Sequence, residues 1–289
     1  MINEHIPDEY TRMRVIVKNP TVDRLLEAVM SLPEGLVPEY WFQLEPRPKS
    51  KRIYLAESKA VFDQKATISS GGFFNHKKIW ITHGDFRIEE TRENSNFFTN
   101  DLGVGSNINN CRDEEDIGAL LRVHDHLIRA FDTYYACAIP YRALEQIVKA
   151  RARALETDPP FEMFALDPEQ FTDQPFNYAE AKHSFPMMGW ITYLSQECID
   201  DYALDMDRIR AVAQKVEEVG PTKSAGMLFR IQFHEGRDDW QETLPAITQM
   251  CLEADQHRYK LGEYRERPPE ERSVDGWHTW LLPDEWWKS

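Results

Sequence analysis

Three segments of the chain hold residue types that could do chemistry. His124-Asp125-His126 sets two imidazoles around a carboxylate, the groups that bind zinc or relay protons. Their spacing argues against a shared ion, because residues i and i+2 on a helix point about 200° apart. His124 falls on an apolar face and reads as a core histidine, and His126 reads as exposed. His234-Glu235-Gly236-Arg237-Asp238-Asp239 puts an imidazole and carboxylates at a strand end, the composition of a hydrolytic site. It lacks the H-E-x-x-H spacing and reads equally as a charged turn capping the next helix. Gly103-Val104-Gly105-Ser106-Asn107-Ile108 lacks the third glycine of a dinucleotide fingerprint, and Asp113-Glu114-Glu115-Asp116 follows where a pyrophosphate needs positive ends. The chain has neither a P-loop nor G-x-S-x-G. Cys111, Cys137, Cys198 and Cys251 stand far apart, so no zinc or redox pair is expected. No catalytic residue, metal ligand or cofactor is nominated.

Charge says more than motifs do. The net charge is −15 over 289 residues. Residues 1–100 balance to zero, 101–200 carry −9 and 201–289 carry −6. Such a field repels nucleic acid and anionic lipid, and it speeds association with a basic protein. The acids nearest the ends of expected elements are Asp113, Glu114, Glu115, Asp116, Glu235, Asp238 and Asp239, and these are the expected partner contacts. No 18-residue apolar run and no secretory leader pattern is present, so a cytoplasmic protein is expected.

The elements that must position these residues read as α+β, with a mainly antiparallel sheet and packed helices. Met13–Lys18 reads as a strand, and Val22, Leu25, Leu26 and Val29 mark a helix. Residues 40–91 read as strands, with a hairpin turn at His83-Gly84-Asp85. Residues 92–112 read as a polar loop. Ile117, Leu120, Leu121, His124, Leu127, Ile128 and Phe131 recur at helical spacing behind the acidic run. Tyr134–Ile139 reads as a buried strand, and Pro140 as the start of a helix to about Leu155. Met187–Ser195 and Ser224–Phe233 read as strands, Asp205–Val219 and Leu244–Ala254 as helices. This suggests an N-terminal half over 1–155, an irregular connection over 156–184 and a C-terminal half over 185–289. Two similar halves or one continuous domain are both compatible with the order. The tail carries Trp277, Trp280, Trp286 and Trp287, either docked on the domain or exposed as an anchor.

Phe185-Pro186-Met187-Met188-Gly189-Trp190-Ile191-Thr192-Tyr193-Leu194-Ser195 resembles the Gly-Trp-x-x-Tyr-Leu strand of bacterial immunity proteins that neutralise polymorphic or type VI secreted toxins. Among these it is most similar to the immunity protein 52 family. Leu25-Leu26, Pro33-Glu34-Gly35 and Tyr40-Trp41-Phe42 resemble that family's opening helix and tryptophan. The resemblance implies a cytosolic α+β protein that binds a cognate toxin of nuclease type. Such a toxin needs a basic face for DNA, which an acidic inhibitor would suit. Two other readings stand beside it: a hydrolase built from dispersed carboxylates, and a structural subunit that forms homo-oligomers. A homodimer is compatible with either binding reading.

Overall fold

The computed structural model describes residues 11–18, 22–43, 53–57, 67–68, 71–74, 79–83, 86–87, 101–106, 114–140, 142–147, 185 and 187–260. The fold is α+β. Twelve strands are present among the described residues: β1 (Thr11–Lys18), β2 (Tyr40–Gln43), β3 (Ile53–Tyr54), β4 (Thr67–Ile68), β5 (Gly71–Phe74), β6 (Ile79–His83), β7 (Phe86–Arg87), β8 (Asp101–Ser106), β9 (Asp132–Pro140), β10 (Ile191–Ser195), β11 (Lys215–Pro221) and β12 (Met227–Gln232). The helices are α1 (Val22–Met30), α2 (Glu114–Ala130), α3 (Gln196–Asp201), α4 (Met206–Val212) and α5 (Trp240–Lys260), with a further helical turn over 142–147.

Ten strands form one sheet in the order β11-β12-β10-β9-β1-β8-β6-β5-β2-β3. Its pairings are antiparallel, including β9 with β10, so strands from 11–140 and from 191–232 share one sheet. The middle is buried on both faces: all nine residues of β9 are buried, and Val15, Ile16 and Val17 of β1 are 0% exposed. That is the pattern of a sheet clad by helices on two sides.

Alternation along the strands assigns the faces. Met13, Val15, Ala136, Ala138 and Ile191 pack under Leu26 and Val29 of α1 and Leu120, Val123 and Leu127 of α2. Ile16, Tyr135, Ile139, Leu194 and Ile231 face the other way, against Phe185, Met188 and Cys198 and against Ile247, Met250 and Cys251 of α5. At roughly 25 cal/mol per Å² of apolar area, each fully buried aliphatic side chain contributes about 2 kcal/mol.

Four expectations need correction. Pro140 does not open a helix: it closes β9, paired with Thr11, and the described helical turn begins at residue 142. The polar segment 92–112 contains a strand: β8 bridges β1 and β6. Gly103 and Gly105 occupy alternate positions in it, leaving only Leu102 and Val104 to mark the strand. The segments around His83 do not form a hairpin. β6 pairs with β5 and β8, and β7 pairs with β4 in a separate two-stranded sheet. The helix expected over Asp205–Val219 ends at Val212. Ala213 is already extended, and Val216 pairs with Ile231 as part of β11. The helical spacing of Ile209, Val212, Ala213 and Val216 was a coincidence between one short helix and a β-branched strand residue. Between β10 and α4 the chain inserts α3, whose N-cap Ser195 accepts from Cys198 N at 3.1 Å. Residues 148–155, the connection over 156–184 and the tryptophan-rich tail lie outside the described residues.

Gly189 shows why the chain has a glycine at the entry to β10. A Cβ there would stand 2.6 Å from Ile139 Cβ and 3.0 Å from Cys137 Sγ, both in the core. Gly189→Ala is therefore expected to cost about 1–3 kcal/mol through overpacking. Urea unfolding reads this as a lowered midpoint at unchanged slope. An unchanged midpoint would mean that β9 and β10 have room to spare.

Candidate functional site

Beyond the edge of α2, the sheet surface made by β10, β12 and β11 turns polar. Tyr193 sits at its centre. Its hydroxyl donates to Asp125 Oδ1 of α2 at 2.9 Å and accepts from Arg230 Nε of β12 at 3.1 Å. Arg129 Nε donates to Asp125 Oδ2 at 2.8 Å, one helical turn along. Arg230 Nη1 continues the chain to Glu217 Oε2 at 3.0 Å, and Lys215 pairs with Glu217 Oε1 at 2.8 Å. Four elements are thereby joined by one run of alternating charge. Burial pushes the Asp125 carboxyl up, but hydrogen bonds from Arg129 and Tyr193 outweigh it and hold it below the usual range. Burial, then the Asp125 charge, pushes the Tyr193 phenol well above its usual value. Asp125 is thus ionised and Tyr193 protonated at neutral pH, with Tyr193 both donating and accepting. The arrangement holds side chains still; it offers no group poised to move a proton.

His124, Asp125 and His126 point to three different partners. The His124 ring is buried, with Nε2 3.1 Å from the carbonyl of Arg14 on β1. Asp125 serves the network above. His126 is half-buried, not exposed as expected: its Nε2 lies 2.9 Å from Ala28 O and 3.2 Å from Ser31 Oγ, at the C-terminal end of α1. There an imidazole N–H satisfies a carbonyl that the helix leaves open. A short polar sequence thus ties α2 to β1, β10 and α1.

His234 is likewise turned inward. Its Nδ1 lies 2.5 Å from Gly236 O, and its ring stacks on Trp190 at 6.3 Å between centroids. Trp190 Nε1 donates to the His234 carbonyl at 3.2 Å. Burial holds the His234 pKa below its usual value, against the opposing pull of the Gly236 carbonyl. Of the expected partner contacts, Glu235, Asp238 and Asp239 are exposed in the turn between β12 and α5. Asp238 pairs with Arg237 Nε at 3.2 Å, and Asp239 Oδ2 accepts from Gly236 N at 2.8 Å. Glu114, Glu115 and Asp116 form the first turn of α2, and Asp113 lies outside the described residues. Passing from Ile128 to His124 along α2 follows the sheet from Thr133 to Arg14, the partner of Cys137. The start of α2 and the 235–239 turn therefore fall at the same end of the sheet.

The opposite end holds a cluster that the sequence did not advertise. Lys18 Nζ donates to Glu197 Oε2 at 2.5 Å, and Asp132 accepts from Ser224 N at 3.1 Å and from Ser224 Oγ. Burial pushes the Asp132 carboxyl up, yet the two bonds from Ser224 outweigh it and hold it low. These groups pin the β11–β12 turn to the ends of β1 and β9. Their separations in sequence, 179 and 92 residues, leave no local spacing to read. Among the described residues no group of three or more His, Cys, Asp or Glu could hold a metal ion, and no helix is long and apolar enough to cross a membrane.

No known protein family matches the chain, and no curated protein matches it. Among solved structures it is similar to the Pseudomonas aeruginosa T6SS protein PA0821, at a TM-score of 0.43 and 16% identity over 96% of this chain and 80% of that one. That is a distant likeness of shape, and no residue role is carried across it.

Two outcomes are expected of these contacts. Tyr193→Phe strips one partner each from Asp125 and Arg230, at a cost of about 1–2 kcal/mol. For a chain of this size the melting temperature should fall by about 2–8 °C, and an unchanged value would show that solvent replaces the bonds without loss. His124 gives a pH signature. Desolvation, opposed by the Arg14 carbonyl and the Asp125 charge, lowers its pKa from 6.5 to about 4. Its contribution is fully present above pH 6.5 and is lost as pH falls toward about 4, because only the unfolded chain binds the proton there. The integrated loss is about 3 kcal/mol at 1.36 kcal/mol per unit. Unfolding free energies of wild type and His124→Gln across that range should converge by this amount, and parallel curves would place the histidine in water.

Proposed function

We propose that the chain is an immunity protein, which binds a cognate secreted toxin and neutralises it by covering the active site or substrate groove. The observation that carries this reading is the imbalance of exposed charge. Between Asp200 and Glu253 nine carboxylates are exposed (Asp200, Asp205, Asp207, Glu218, Glu235, Asp238, Asp239, Glu242 and Glu253) against three cations (Arg210, Lys215 and Lys223). The acids stand on α3, α4, α5, the edge strand β11 and the turn before α5, elements packed on or paired within one sheet, so the backbone that carries them is ordered before a partner arrives. A rigid acidic surface suits a basic protein, and a toxin that grips nucleic acid is basic where it works. The resemblance of the Gly189-Trp190-x-x-Tyr193-Leu194 strand to immunity proteins supports the same reading.

Co-expression with the protein encoded by the adjacent gene tests it. The expected result is suppression of that protein's toxicity and a stable complex burying about 1,600 Å² or more. Association should slow about tenfold between low and high salt, and Asp238→Lys with Asp239→Lys should slow it further. A harmless neighbour that forms no complex would sink the reading. A salt-independent on-rate, unchanged in the double variant, would remove Asp238 and Asp239 from the interface.

A further inference from the structure

A cleft of about 250 Å³ opens on the side of the sheet opposite α1 and α2, between the end of α3, the start of α4 and the second half of α5. It exists because the chain reverses sharply after α3. Ala203 adopts a left-handed conformation (φ 47°), and Leu204 N then donates to Ile199 O at 3.0 Å. The floor is apolar: Tyr202, Ile209, Met250 and Ala254 are each at most 5% exposed. The rim is charged, with Asp205, Arg208, Glu253 and His257 lining it. The lining itself sets two carboxylates, Asp205 and Glu253, against one guanidinium, Arg208, and the His257 imidazole. Arg208 is already paired with Glu253, and Asp205 caps α4.

A hole with an apolar floor and an anionic rim selects a side chain with an apolar stem and a cationic head. We propose that this cleft is the anchor point for a basic protein partner and takes one of its arginine or lysine side chains. The stem lies on Ile209, Met250 and Ala254, and the head meets Asp205 and Glu253. The identity of the partner rests on the toxin-binding reading; the chemistry of the cleft does not. Two features keep the site ready for exchange. Arg208 and Glu253 are 38% and 44% exposed, so trading that pair for an incoming cation costs little. Asp205 already accepts from Asp207 N and Arg208 N, both through Oδ1 at 3.0 Å, which fixes its carboxylate at the mouth.

The direct probe is N-acetyl-arginine amide, titrated against the full chain while the methyl resonances of Ile209, Met250 and Ala254 are followed by NMR. A single side chain binds weakly, so the titration runs to roughly 50 mM. Saturable shifts at these methyls are expected, with none from N-acetyl-citrulline amide, the neutral isostere. Asp205→Asn with Glu253→Gln keeps the helix cap and the shapes while removing two charges. It should weaken the arginine probe at least about fivefold, and weaken the complex with the neighbouring gene's product at least about tenfold. No methyl shift, or equal shifts from citrulline, would overturn the cleft proposal. So would a complex that binds the double variant as tightly as wild type, and that result leaves the toxin-binding reading standing. Shifts with arginine but no complex would uphold the cleft and remove the toxin.

Discussion

β9 is buried from Asp132 to Pro140, and the rest of the fold is arranged around what that burial demands. A strand covered on both faces has no water to satisfy its polar side chains, so each must find a protein partner. Asp132 takes Ser224 from the β11–β12 turn. Thr133 Oγ1 donates to Ile128 O of α2 at 2.9 Å. Tyr134 OH donates to Asp201 of α3 at 2.9 Å, and Tyr135 OH to the Met187 carbonyl at 2.5 Å. Four consecutive residues thereby dictate where one turn, two helices and the lead-in to β10 must sit. An apolar strand could tolerate slippage; this one loses a hydrogen bond whenever one of these partners moves, a buried one at Thr133 or Tyr135 and a part-buried one at Asp132 or Tyr134.

The same demand explains how surface acids come to be held in place. α3 is set by Tyr134 through Asp201 and by its Ser195 cap, and the turn after it opens the cleft beside α5. On the other face, α2 is tied through His124, Asp125 and His126 to β1, β10 and α1, so the Tyr193 network stands on a fixed helix. Rigid placement lowers the entropy that a binding surface loses on association. Under the proposed reading the distinction matters: mobile acids would only keep a protein soluble, whereas ordered ones can be matched by a partner's cations.

Much of this was legible in the residues. The amphipathic spacing of Ile117, Leu120, Leu127 and Ile128 marked α2, and the unbroken apolar run of Tyr134–Ile139 marked a buried strand. His124 was readable as a core histidine from its place on that stripe. What escaped was whatever depended on long-range pairing. β8 is disguised by glycines, and β11 by Val216, which fell at helical spacing behind Ile209 and Val212. The Lys18–Glu197 and Asp132–Ser224 contacts join residues far apart in the chain. The cleft depends on one left-handed alanine, a residue type with no turn signal of its own. Acidic positions could be nominated from charge and element ends, but which of them share a surface is a property of the sheet order.

Hydrogen exchange of the full chain, alone and with the neighbouring gene's product, tests the central claim most directly: that a rigid sheet presents acidic helices to a basic partner. The account predicts slow exchange along β9 in both samples, with new protection in 200–209 and 250–257 only in the complex. Protection absent from those segments, or a β9 that exchanges rapidly in the free protein, would contradict it.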